Sequence, residues 1–175
     1  MTKTWLELGV PKNIISGLVS RGIEAPFPVQ EATLPDALAG HDICGKAPTG
    51  SGKTLAFGLA LMTRLAGRTA ASMRPLALVL SPTRELAMQI SDVIAPLSRS
   101  VNLNSQVVAG GLSYSKQIQA LKRAVPIVVA TPGRLIDLIQ KKHTSSLSEW
   151  ELDILNFIEE WLNEKSTSID NKKSS

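Results

Sequence analysis

Cysteine is nearly absent, with Cys44 the single one in 175 residues. One thiol excludes an internal disulfide and a zinc site built from several cysteines. Long apolar runs are missing too. The longest, Leu55 to Met62, is broken by Gly58 and falls far short of the ~20 residues of a membrane span. The opening Met1-Thr2-Lys3-Thr4-Trp5 lacks the apolar stretch of a signal peptide. There is no fixed-period repeat. These absences predict a soluble, cytoplasmic chain with no membrane contact. What is present suits a globular protein. Apolar residues make up 43% and charged residues 19%, which excludes a chain disordered throughout. At about 150 residues per domain, the length fits one domain, or one domain with a tail.

Charge is divided unevenly along the chain. Residues 1–142 carry 16 Lys and Arg against 8 Asp and Glu, a balance of +8. Residues 143–175 carry 3 against 7, a balance of −4. A basic body is the electrostatic footprint of a protein that meets polyanions; solubility alone would also account for it. The change of sign marks 143 as a boundary. It divides a domain at 1–142 from a tail at 143–175.

Apolar spacing predicts the elements of the body. Pro11 to Arg21 reads as a helix, with Ile14, Ile15, Leu18 and Val19 on one face and Gly22 at its stop. A second short helix runs from about Val29 to Leu38. Four strands are expected, at Asp42 to Ala47, Leu76 to Leu80, Gln106 to Ala109 and Ile127 to Ala130. Helices are expected at Thr54 to Leu65, Arg84 to Leu97, Ser113 to Arg123 and Arg134 to Lys142. Strands thus alternate with helices, and most of the strands are solidly apolar. That pattern predicts an α/β fold, a parallel sheet with helices on both faces.

The tail has another texture. Ser148-Glu149-Trp150-Glu151 reads as a capping box. Trp150, Ile154, Phe157, Ile158, Trp161 and Leu162 then share one stripe, which predicts an extra amphipathic helix at about 149–164. Such a helix can pack on the body or dock in a partner protein's groove. The polar stretch at about 166–175 is expected to be disordered.

The strongest local signal is Ala47-Pro48-Thr49-Gly50-Ser51-Gly52-Lys53-Thr54, between an expected strand and an expected helix. It matches the phosphate-loop pattern G-x-x-x-x-G-K-[ST], with Ala47 at the first glycine. Gly50 and Gly52 let the backbone curl until its N–H groups point at phosphate oxygens. The N-terminus of the following helix adds to that field. Lys53 reaches the β- and γ-phosphates, and the Thr54 hydroxyl ligates Mg²⁺. A nucleoside triphosphate with Mg²⁺ is the ligand this chemistry fits.

The neighbouring motifs narrow the reading. Upstream lies Gly22-Ile23-Glu24-Ala25-Pro26-Phe27-Pro28-Val29-Gln30, with Trp5 seventeen residues before Gly22. Downstream, in order, stand Pro82-Thr83-Arg84-Glu85-Leu86, Gly110-Gly111 and Thr131-Pro132-Gly133-Arg134. Over about residues 3–142 the chain resembles the first RecA-like domain of a DEAD-box ATP-dependent RNA helicase. The resemblance implies a partial RecA-like domain that binds ATP and RNA. It implies that Gln30 pairs with the adenine edge, for which a side-chain amide has one donor and one acceptor. Ile23 stands where the family usually has Phe or Tyr, and Trp5 where it more often has Phe. Both are expected near the adenine. Pro82, Thr83, Arg84, Gly110, Gly111, Thr131, Pro132, Gly133 and Arg134 resemble the family's RNA-backbone contacts. All follow carboxyl ends of expected strands, where open α/β sheets bind ligands. Glu85 is expected to brace an arginine.

The resemblance stops at about residue 142. The family continues into an apolar strand ending in Asp-Glu-Ala-Asp, whose first carboxylates hold Mg²⁺ and orient the attacking water. That tetrapeptide does not occur here, and neither do the Ser-Ala-Thr motif and the second RecA-like domain. Residues 143–175 therefore read as foreign to the family, through a frameshift, rearrangement, splicing or fusion. The sequence predicts an ATP- and RNA-binding piece of a helicase, truncated before its acidic motif and not catalytic alone. The alternative is a non-catalytic module that binds RNA through the basic body or a protein through helix 149–164.

Overall fold

The computed structural model of the chain describes residues 3–71 and 74–142. Among them the sheet has three strands, β1 (Ala77–Leu80), β2 (Ser105–Val108) and β3 (Ile127–Ala130). All pair in parallel, in the spatial order β1-β3-β2. The last strand in sequence is thus the middle one in space. Leu80 and Val108 both lie opposite Ala130. The three strands therefore end level, and the loops that follow them leave from one edge.

Burial follows from this arrangement. Every residue of β3 is buried, as expected for a parallel strand covered on both faces. Its side chains alternate between two cores. Ile127 and Val129 join the larger cluster, with Ile14, Leu18, Leu59 and Ile94. Those residues come from α1 (Lys12–Val19), α3 (Lys53–Leu65) and α4 (Arg84–Ser100). Leu34 of α2 (Pro28–Ala39) belongs to the same cluster. Val128 and Ala130 face the smaller cluster, built with Leu135, Leu138 and Ile139 of α6 (Pro132–Lys142). Ile118 and Leu121 of α5 (Tyr114–Leu121) pack against it. Helices cover both faces, as the apolar strands predict.

One expected strand does not form. Residues 42–47 have no regular secondary structure and are almost wholly exposed, and no backbone hydrogen bond holds them to the sheet among the described residues. A strand is stable only when its backbone groups pair with a neighbour. Along β1 the only paired edge among the described residues faces β3, so segment 42–47 has no partner there. Other elements shift by a few residues. α4 runs on through Pro96 to Ser100, and α6 begins at Pro132, where proline suits the first helical turn. The expected helix at 149–164 and the polar end at 166–175 lie outside the described residues.

Candidate functional site

The phosphate loop begins from sequence-dictated backbone geometry. Gly50 and Gly52 have φ of +82° and +87°, the left-handed region that glycine enters without steric cost. Gly52 caps α3, and Lys53 is that helix's first residue. A side chain on Gly52 would also collide with its neighbours. A Cβ there would lie 2.5 Å from Gln30 Nε2 and 2.9 Å from Phe27 Cδ2. The Lys53 ammonium folds back into the loop and donates to the carbonyl of Ala47 and, at 2.7 Å, to that of Pro48. The Ser51 hydroxyl is buried with no hydrogen-bond partner among the described residues.

These features fit a bound triphosphate. Phosphate oxygens can replace the two carbonyls as acceptors for Lys53, and an orphaned hydroxyl gains a partner. Two cavities adjoin the loop. One, of about 460 Å³, runs between α2, α3 and α4, with Lys53, Thr54, Phe57, Leu86 and Ile90 on its walls. The other, of about 300 Å³, lies between the loop and the start of α2, against Phe27, Pro28, Ala47, Pro48, Gly50 and Ser51.

The upstream residues are placed differently from one another. Gln30 is fully buried. Its amide oxygen accepts from Phe27 N at 2.7 Å, and its amide nitrogen donates to Gly52 O at 3.2 Å. Gln30 therefore ties the start of α2 to the phosphate loop and shows no open edge to a base. Trp5 is 3% exposed and belongs to the larger core. Ile23 packs against that same core, half-buried.

The loops after β1, β2 and β3 meet at the sheet edge. Thr83 caps α4, its hydroxyl accepting from Leu86 N at 3.2 Å, which leaves its own hydrogen free to donate. Gly111 has φ +74°, and the Arg84 guanidinium lies across it. A Cβ at Gly111 would be 2.5 Å from an Arg84 terminal nitrogen. Thr131 N donates to Val108 O at 2.9 Å, joining the third loop to the end of β2. Arg134 donates to Leu112 O at 3.1 Å and lies over the Tyr114 ring, 5.5 Å from its centroid. The structure thus brings Thr83, Arg84, Gly110, Gly111, Thr131 and Arg134 into one cluster. Glu85 is exposed in the first turn of α4 and bridges to no arginine among the described residues. At that position its charge complements the helix dipole instead.

The sequence pattern missed Gln117. This residue is 2% exposed. Its amide nitrogen donates to Ala109 O and Leu112 O, both at 3.2 Å, and so pins the ends of the Gly110-Gly111 turn. The available signal was a polar residue on the inward stripe of α5, three residues after Tyr114 and four before Leu121.

Comparison with known proteins matches this arrangement to one family. The model of the DEAD/DEAH box helicase family matches residues 27–163. The ATP-dependent RNA helicase RhlB of Xanthomonas oryzae pv. oryzae is 43% identical over 147 residues, 82% of this chain and 26% of that protein. RhlB of Xanthomonas axonopodis pv. citri is 44% identical over the same length. This chain thus spans about a quarter of the length of these relatives. Among solved structures, the RNA helicase Prp28 of Chaetomium thermophilum bound to ADP superposes with a TM-score of 0.74 at 37% identity. The match covers 80% of this chain and 35% of that one. A DEAD box protein of Methanococcus jannaschii gives 0.66 at 35% identity, covering 79% and 37%.

The Gln117 brace has a measurable consequence. Replacing Gln117 by Leu keeps the volume but leaves two carbonyls without this donor. We expect a loss of about 1–3 kcal/mol, read as a lower urea midpoint at unchanged slope. An unchanged midpoint would mean that water or the backbone satisfies both carbonyls.

Proposed function

The chain belongs to the DEAD/DEAH box helicase family, and we propose from that premise that it binds ATP with Mg²⁺ at residues 47–54 and an RNA backbone at the loops after β1, β2 and β3. The observation that carries the reading is the coexistence of two anion-binding features around α4. Lys53 and Thr54 share a cavity wall with Leu86 and Ile90 of that helix. Thr83 and Arg84, at its start, belong to the loop cluster at the sheet edge.

For the nucleotide, the chain supplies backbone N–H groups at the start of α3, the Lys53 cation and the hydroxyls of Ser51 and Thr54. Helix N-termini and curled backbone both favour phosphate. Thr54 Oγ1 would hold Mg²⁺, which neutralises phosphate charge when bound. For RNA, Arg84 and Arg134 supply charge, and Thr83 and Thr131 supply hydroxyl donors. Such contacts position a backbone and read no base sequence.

Turnover is a different matter. Hydrolysis of a phosphoanhydride needs a positioned water and charge stabilisation on both sides of the γ-phosphate. The sequence contains no Asp-Glu-Ala-Asp, and the described residues offer no cluster of acidic or metal-ligating side chains. Glu159 and Glu160 lie outside the described residues. We therefore assign binding without turnover to this chain, and ATP-driven RNA unwinding to the helicase whose domain it represents. The second reading is protein docking through 149–164. It rests on the apolar stripe in the sequence alone.

Two measurements test the binding assignment. Titration calorimetry should detect Mg-ATP binding that weakens at least tenfold in Lys53→Ala, since a charge-assisted contact contributes about 1.5–3 kcal/mol. Equal affinity in both proteins would remove residues 47–54 from the site. Single-stranded RNA should bind with an affinity that falls steeply with salt and varies little with sequence. Replacing Arg84 and Arg134 together by Ala should flatten that slope by about two. A salt-independent affinity in the unmodified protein would exclude a phosphate-backbone contact.

A further inference from the structure

Among the described residues seven large apolar side chains stay exposed, and three of them, Ile43, Phe57 and Leu86, stand around one cavity. They are 43%, 40% and 40% exposed. Single apolar residues scattered on a surface are ordinary, but a patch of them marks a contact. This cavity is the one of about 460 Å³, and Val29 of α2 and Ile90 of α4 extend its apolar wall. Two unsatisfied stretches of backbone adjoin it. Segment 42–47, which carries Ile43, makes no hydrogen bond to the sheet among the described residues. β1, which leads through residues 81–83 into α4, has no strand on its outer edge among the described residues. An open sheet edge invites stray pairing, and a covering helix is one of the ways folded proteins prevent it.

The sequence beyond α6 has the chemistry to cover this surface. Trp150, Ile154, Phe157, Ile158, Trp161 and Leu162 fall on one stripe at helical spacing. Charge is complementary as well. Residues 143–175 balance to −4 against +8 for residues 1–142. Lys46 lies in segment 42–47, and Lys53 is on the cavity wall. Glu149, Glu151, Asp153, Glu159 and Glu160 stand off the apolar stripe, free to face such cations. The chain is also long enough. α6 ends at Lys142 and packs on β3. Two strand spacings, about 10 Å, separate β3 from the space beyond β1. Residues 143–149 can span about 23–25 Å when extended. We propose that the apolar stripe of residues 149–164 docks in this chain's own cavity, covering Ile43, Phe57 and Leu86 and shielding the outer edge of β1. A second copy or another protein would have to compete for the same stripe.

Cys44 supplies the probe. It is the single cysteine, it is exposed, and its neighbours Ile43 and Gly45 both line the cavity. A bimane fluorophore on this thiol is quenched by a tryptophan in contact with it. Docking needs no nucleotide, so the measurement is made without one. The full chain is compared with the double variant Trp150→Phe/Trp161→Phe, which removes the quenchers and keeps the stripe apolar. It is also compared with Leu86→Asp, which puts a charge on the cavity wall. Trp5 is present in all three and is buried in the core, so its contribution is constant. Unfolding midpoints confirm that each protein is folded. Bimane emission should be quenched in the full chain at every protein concentration, and the quenching should be lost in both variants. Equal emission from the full chain and Trp150→Phe/Trp161→Phe would overturn the docking. Quenching that persists in folded Leu86→Asp would place the stripe elsewhere and overturn it too. Quenching that disappears on dilution would assign the stripe to a second copy, against docking within one chain.

Discussion

β3 is hydrogen-bonded on both sides and buried on both faces, and the loops at the sheet edge take their positions from it. Its parallel ladders bring Leu80 and Val108 level with Ala130. Three chain segments far apart in sequence therefore turn at one edge. There Arg84 lies across Gly111, Arg134 bonds to Leu112 O, and Thr131 bonds to Val108 O. A shift of register in β3 would separate these groups, and it would also exchange its inward faces between the two cores. Packing and site geometry are thus enforced by the same strand.

The phosphate loop is held by a different device. It precedes α3, but the segment before it is not part of the sheet among the described residues. What fixes it is Gln30, whose amide reaches from α2 to Gly52 O, and Lys53, whose ammonium closes on the carbonyls of Ala47 and Pro48. A buried amide with both ends bonded is costly to disrupt, because separating it leaves unpaired polar groups. Gln30 therefore acts on the loop's shape, whatever the loop binds. The Lys53 contacts are different in kind. They are exchangeable, since any stronger acceptor at the same place can take the ammonium.

Much of the fold was legible because parallel strands and amphipathic helices leave periodic marks. Ile127 to Ala130 reads as a strand and is one, and the helix stripes at α1, α4 and α6 were visible in the spacing of their apolar residues. The left-handed turns at Gly50 and Gly52 also follow from residue type. Segment 42–47 was misread because a strand needs a partner as well as a suitable composition, and pairing is a property of the assembled sheet. Gln117 was not singled out for a related reason. A single glutamine has no spacing to betray it, and its bonds to Ala109 O and Leu112 O appear only when the chain is folded. The burial of Trp5 and the engagement of Gln30 likewise depend on tertiary packing that no local pattern encodes.

The central claim is that residues 47–54 hold a nucleotide without turning it over. Phosphate release from Mg-ATP, measured with and without single-stranded RNA, tests it most directly. The account predicts release by the full chain no faster than by Lys53→Ala, and no stimulation by RNA. RNA-stimulated release that Lys53→Ala abolishes would contradict it. That result would place a catalytic carboxylate in residues 143–175, with Glu159 and Glu160 the first to be replaced.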